Sequence, residues 1–375
     1  MSTSTHKRPQ RSAPIDGIEP SEVRTAPQHL VWVAVGVGLA IALIAGFALN
    51  LSLGLVLGYL AYLLTAYLSF RATAGSRVGL DQLMRGLIYG AFALALLPLI
   101  SLLWTVVSNG AMRAFSSAFL NQTMNGVTGL NDQNYFDGNA DFIGGAYHAI
   151  IGTLEITAIA TIISVPIGMF TAIYLVEYAQ GTRLSKAIRF FVDVMTGIPS
   201  IVAGLFAFAL FGSIFGVGTK NGIAGAVALA VLMIPTVVRN SEEMLRIVPN
   251  ELREAALALG VPKWRVIYKV VLPTAASGLA SGITLAIARV IGETAPLLVA
   301  VGGFYALNTN PFSGPIQTLA VYAYEMFTKP LNPGFRDPSL ERAWAAALIL
   351  VLIVVALNLT ARLIAKLFAP KKSGR

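Results

Sequence analysis

The sequence predicts an all-α integral membrane protein with about eight transmembrane helices, and three observations carry that prediction. The 375 residues are 56% hydrophobic but only 12% charged, where soluble domains carry about 25% charged residues. Apolar stretches recur at the length needed to cross a bilayer, about 20 residues. The 27 Lys and Arg residues outnumber the 18 acids and collect in alternate connecting segments, as the positive-inside rule requires. The net charge of +9 therefore reports topology in a membrane, not affinity for nucleic acid. Cysteine is absent, which excludes disulfides, thiolate catalysis and cysteine-ligated zinc.

Residues 1–28 are polar and rich in Pro and Ser, the composition of a disordered tail. The first apolar run starts at Leu30 and leads directly into a second, so it reads as retained and not as a cleaved signal peptide. Spans are expected near 30–49, 53–69, 86–107, 147–176, 190–215, 221–238, 272–303 and 343–364. A single helix over 30–69 would be roughly 60 Å long, twice the hydrocarbon thickness. The Asn50-Leu51-Ser52 interruption is thus read as a tight turn, making 29–75 a transmembrane hairpin ahead of a larger domain at 76–370.

With the N-terminus inside, 21 of the 27 basic residues fall in cytoplasmic segments. Outside segments hold Arg113, Lys220, Lys329, Arg336 and Arg342, and Arg289 lies within a span. Both termini are expected in the cytoplasm. Of the two long outside loops, 108–146 reads equally as a solvated connector or as a segment that is ordered against the membrane domain or receives an external partner.

The segment RNSEEMLRIVPNELREAALALGVPKWRVIYKVVLP ends at Pro273, within a cytoplasmic loop at 240–273. Pro249-Asn250 starts a helix and Gly260 ends it in a left-handed turn. A second amphipathic stretch, Pro262 to Val270, returns the chain to the bilayer. Two short helices about a glycine elbow form a knob suited to a groove on another protein. Glu254-Ala255-Ala256, Gly260 and Val270-x-Leu272-Pro273 have the spacing of the EAA loop of ABC importer permeases, which this segment resembles. Val270 replaces the usual Ile. The resemblance implies that these residues dock onto an ATP-binding subunit, Ala255 and Ala256 permitting close approach. The chain has no GxxxxGK[ST] phosphate loop.

Charge also enters a span, in IARVIGETAPLL at 287–298. At 100° per residue, Gly278, Gly282, Ala286, Arg289 and Glu293 fall within about a quarter-turn. Small residues mark the packed face of a membrane helix, so both charges are expected to point into the protein. They read either as a self-neutralised pair that locks packing or as an anion-binding cation balanced by a carboxylate. Gly197, Pro199 and Ser200 interrupt another span, which marks either a packing kink or exposed backbone donors at a substrate path. Arg239 lies at the cytoplasmic mouth, as an anchor or a second relay. Asp193 and Glu155 are expected nearer span ends, in solvated or snorkelling positions.

ARVIGETAPLL, with FVDVMTGIPSIVAGLFAF at 191–208 and AIYLVEYA at 172–179, resembles the PstA type of phosphate ABC importer permease over about residues 86–368. That resemblance implies a type I six-helix permease core preceded by the extra hairpin, and one half of an alternating-access path for phosphate. It implies a PstC-like sister permease, two PstB-like ATPase subunits and an external PstS-like phosphate-binding protein, in a bacterial plasma membrane. ATP and Mg would be used by the ATPase, with no cofactor or metal in this chain. Arg289 becomes the first candidate for a pathway contact and Glu293 its balance. Sulfate or molybdate as cargo is the alternative within the class, and an ATP-independent transporter the alternative outside it. An enzyme is disfavoured, since His6, His29 and His148 form no HExxH motif.

Overall fold

The computed structural model describes residues 29–179 and 181–368, so the tail expected at 1–28 lies outside the described residues. Among the described residues every regular element is helical. Seven helices among the described residues are long and apolar enough to cross a membrane, and a bent pair supplies an eighth crossing if counted as one. The chain divides into two compact units at Leu102 and Leu103.

The first unit contains α1 (His29–Ala48), α2 (Leu51–Ala74) and the first part of α3 (Ser76–Ala114). Asn50 turns the chain: its Oδ1 accepts from Leu53 N at 2.8 Å and from Ser52 Oγ at 3.0 Å. This is an N-cap, satisfying a donor that the start of α2 would otherwise leave unpaired. The two helices then interlock through small residues, and a Cβ placed on Gly54 would lie 2.6 Å from the Ala42 carbonyl oxygen. Close backbone approach is how helices associate where lipid offers no hydrophobic drive. α1 and α2 thus pack against each other about the Asn50 turn.

The second unit is built around α9 (Gly222–Ile247), whose opening run GIAGAVALAVLM is small-residue rich and buried on most sides. Against it pack α6 (Tyr147–Ile173), α8 (Ser200–Phe215), α12 (Leu272–Val290) and α13 (Ala295–Ala300). A Cβ on Gly225 would meet Val301 Cγ2 at 2.2 Å, so the fit excludes even alanine there. Helix α6 ends in a π-helical turn, Tyr174–Tyr178. Helix α11 (Lys263–Val266) runs through a second π turn, Ile267–Val271, into α12. The expected stretch Pro262 to Val270 is therefore the first part of one continuous helical span, and α9 runs on to Ile247, which shortens the intervening loop.

Two spans differ from expectation. The stretch 190–215 is not one helix: α7 (Arg183–Thr196) and α8 meet at 104°. Pro199 has no N–H to continue the helical ladder and disfavours helical backbone at Ile198. The stretch 272–303 is also broken, after Val290. Gly292 is a poor helix former, and Pro296 cannot bond to the carbonyl one turn back.

The segment 108–146 is not a bare connector. With α14 (Leu319–Thr328) and the start of α15 (Asp337–Phe368) it forms a lobe holding α4 (Ser117–Asn121) and α5 (Gly129–Phe136). Asp132 accepts from Arg342 Nη1 at 2.9 Å and Nη2 at 2.7 Å, and from Ser339 Oγ at 3.1 Å. Both partners are 1% exposed. The Phe142 ring lies between the Arg113 guanidinium, 3.5 Å away, and that of Arg342, 4.6 Å away. Arg113 in turn pairs with Glu341 at 2.5 Å. Burial raises the phenol pKa of Tyr322 and of Tyr305, where Glu325 adds to the shift and Arg342 opposes it. Both phenols stay neutral at physiological pH.

Candidate functional site

The break in α12 lies beside the middle of α9. The two helices run antiparallel: Gly278 meets Met244, Gly282 meets Asn240, and Asn240 Nδ2 donates to the Gly282 carbonyl at 3.0 Å. Ala286 is fully buried. Two turns after Gly282, Arg289 Nη1 donates to Thr236 Oγ1 at 3.1 Å. Thr236 follows Pro235 near the centre of α9, so Arg289 lies beside the middle of that helix.

The packed glycine face is as expected, but the pairing of charges is not. Arg289 is exposed and Glu293 half-buried in this chain. No carboxylate lies within 4.0 Å of Arg289 among the described residues. Because the helix ends at Val290, Glu293 leaves the face that a continuous helix would have given it; its N–H donates to the Val290 carbonyl at 3.1 Å. The self-neutralised pair is thus corrected to an arginine held by one neutral hydroxyl. The position of Arg289 in the last turn of α12 remains favourable, since its charge faces the negative end of that helix dipole.

Helix α8 brings the second break to the same layer. A Cβ on Gly204 would lie 2.6 Å from Pro296 Cα, so α8 and the start of α13 touch at backbone distance. Ser200 is one turn earlier, at the first turn of α8. Val202 and Ala203 N–H both turn back to the Pro199 carbonyl, while the Ser200 and Ile201 N–H groups precede the first helical bonds, as at any helix start. Gly197 and Pro199 are exposed and Ser200 half-buried. Irregular backbone at this depth is tolerated where it meets protein or water.

Toward the C-terminal end of α9, charges are paired. Arg239 Nη2 donates to Asp193 Oδ1, so Arg239 is engaged and not a free relay. Glu242 accepts from Arg189 at 2.8 Å and Arg246 at 2.5 Å. Arg189, Asp193, Arg239, Glu242, Glu243 and Arg246 line an open cavity of about 280 Å³. Asp193 is exposed as expected. Glu155 lies two turns inside α6, half-buried, with Oε2 buried and unpartnered.

The elbow has the geometry its spacing predicts. α10 (Asn250–Ala258) ends where Gly260 adopts φ +75°. Gly260 N–H donates to the Leu257 carbonyl at 2.9 Å and Val261 N–H to that of Ala256 at 3.3 Å. This paired ending requires a left-handed residue that glycine supplies without strain. Glu254 and Ala255 face outward, while Ala256, Val270 and Leu272 pack on the cluster of Val176, Leu245, Val266 and Val271. Pro273 is exposed. Leu257, Leu259 and Trp264 project from the knob, and Leu259 is 84% exposed.

Residues 164–374 match the family described as binding-protein-dependent transport system inner membrane component. The chain belongs to this family. It is therefore a multi-pass membrane protein and the permease component of a transport system. Similar to it is phosphate transport system permease protein PstA 1 of Mycobacterium tuberculosis (strain ATCC 25618 / H37Rv), at 45% identity over 74% of this chain and 84% of the relative. PstA of Mycobacterium leprae (strain TN) is 42% identical over 72% and 84%. PstA of Haemophilus influenzae is 37% identical over 76% and 93%. This permease thus shares most of each relative's length.

Signals for what sequence reading missed are uneven. The break at 291–294 is visible in Gly292 and Pro296, but a count of apolar residues passes over both. The partner of Arg289, Thr236, carries no signal of its own.

Proposed function

We propose that this permease forms one half of a path for inorganic phosphate into the cell, driven by ATP hydrolysed on separate subunits. The observation that carries the reading is Arg289, an exposed guanidinium beside the middle of α9 whose one partner among the described residues is the Thr236 hydroxyl. Facing lipid, such a charge would cost about 2.5–3.5 kcal/mol or more. A path shared with a second permease chain gives that face water and protein instead. Guanidinium donors match phosphate oxygens in pairs, and Arg289 has donors beyond the one Thr236 engages. The names of the relatives, PstA, supply the cargo.

Each remaining residue has a role in this reading. The start of α8 at Gly197, Pro199 and Ser200 turns the positive end of a helix dipole toward the same layer. Glu293, four residues on and unpaired with Arg289, is a carboxylate that opposes over-tight binding, so that an anion is attracted without being trapped. The Arg239–Asp193 pair forms a charged mouth on the cytoplasmic side. Glu254, Ala255, Ala256 and Gly260 form the docking surface, rooted by Val270, Leu272 and Pro273. The partners are a sister permease, two ATPase subunits and an external phosphate-binding protein, with both termini of this chain in the cytoplasm. ATP and Mg belong to the ATPase.

The test is phosphate uptake by vesicles holding the assembled complex, with sulfate and molybdate as competitors. ATP-dependent uptake that neither competitor suppresses is expected. Gly260→Val, strained by roughly 1–2 kcal/mol in the left-handed region, is expected to hydrolyse ATP without moving phosphate. Uptake that does not require ATP, or a preference for another oxyanion, contradicts the reading.

A further inference from the structure

Arg253 sits one residue before Glu254 in the elbow, but where Glu254 is exposed the Arg253 side chain is largely buried. Its Nε donates to Glu177 Oε1 at 3.1 Å, and Nη2 lies 3.0 Å from the same oxygen. Nη1 donates to the Val248 carbonyl at 2.5 Å and to Asn250 Oδ1 at 3.1 Å, and Nη2 to the Leu245 carbonyl at 2.8 Å. Every nitrogen of the guanidinium is engaged. The two side chains are only 14% and 7% exposed.

What these bonds join is specific. Leu245 and Val248 lie at the end of α9, where a helix leaves its last carbonyls without internal partners. Glu177 belongs to the π turn that ends α6, an irregularity often found where helices do work. One planar group therefore fastens the ends of α6 and α9 to α10. The apolar attachment of α10 is slight, consisting of Ala256 and the adjoining Val261 on the cluster beneath. A helix of 9 residues is too short to hold itself rigid. Pushed from outside, it would swivel on an apolar contact, but a forked guanidinium bound on three sides resists rotation.

We propose that Arg253, with Glu177, is the joint that passes motion of the elbow to α6 and α9. Arg253 is a positioning residue: it touches no cargo, but α9 carries Thr236 against Arg289. The inference rests on the reading that α10 docks onto an ATPase.

The test uses the whole complex in proteoliposomes with its binding protein, measuring phosphate moved and ATP hydrolysed in the same vesicles. The chain has no cysteine, so spin labels can be set at Phe170→Cys on α6 and Ala258→Cys on α10, both exposed sites. In the parent protein the label distance is expected to be single and narrow, with and without trapped nucleotide. In Glu177→Gln, ATP hydrolysis persists while phosphate moved per ATP falls about fivefold or more, and the distance distribution broadens. Arg253→Lys, which keeps the charge but loses the fork, falls between the two. An unchanged ratio in Glu177→Gln overturns the joint, including the case where uptake and hydrolysis fall together. A parent complex that hydrolyses ATP but moves no phosphate overturns the transport reading itself, separately from any comparison of variants.

Discussion

Arg342 and Arg289 are the same side chain in two opposite settings. Arg342 is 1% exposed and bound bidentately by Asp132, with the Ile143 carbonyl as a further acceptor at 2.9 Å. Arg289 is exposed, with one hydrogen bond to a neutral hydroxyl. A buried guanidinium must have its charge answered locally, because solvation lost on burial costs several kcal/mol per ion, and of the Arg342 nitrogens Nε alone lacks a partner among the described residues. A guanidinium that is to meet a passing anion must leave donors unanswered. The difference separates an arginine that holds the lobe together from one placed for use.

The comparison predicts a graded series. Arg342→Met leaves Asp132 as a buried, unpaired charge and is expected to cost about 3–5 kcal/mol, read as loss of folded protein in thermal unfolding of the purified complex. Adding Asp132→Leu to that variant removes the stranded charge and is expected to restore most of the loss. If the double variant is as unstable as the single, the loss comes from the other contacts of Arg342, with Phe142 and the Ile143 carbonyl, and not from a stranded charge. Thr236→Val removes the hydrogen bond that orients Arg289, worth about 0.5–1.5 kcal/mol. Uptake should fall several-fold, by about the factor that energy implies, with the melting temperature nearly unmoved. Arg289→Gln, on an exposed side chain, is expected to change stability by no more than about 0.5 kcal/mol. A loss as large as that of Arg342→Met would erase the distinction between the two arginines.

Much of this architecture is legible because the bilayer imposes it. Span length, the Asn50 turn and the outward knob with Gly260 follow from apolar run length, a capping side chain and one left-handed residue. The depth of Arg289 is legible for the same reason. Its surroundings are not. The end of α12 at Val290 depends on Gly292 and Pro296, and only a broken helix separates Glu293 from Arg289. The 104° between α7 and α8 is announced by Gly197 and Pro199 only as a break. Its angle is matched by long-range pairs, Arg239 with Asp193 and Arg189 with Glu242. Arg342 and Asp132 are 210 residues apart, and no local pattern links them. The Arg253–Glu177 joint is hidden likewise, since the docking motif draws notice to Glu254 and not to its neighbour.

Phosphate uptake by the assembled complex carrying Arg289→Gln, set beside Arg289→Lys and the parent protein, tests the central claim most directly. Uptake reduced at least about a hundredfold in Arg289→Gln, partly retained in Arg289→Lys, with assembly and melting temperature preserved in both, is the predicted result. Uptake at the parent rate in Arg289→Gln would contradict it and leave Arg289 as a packing residue.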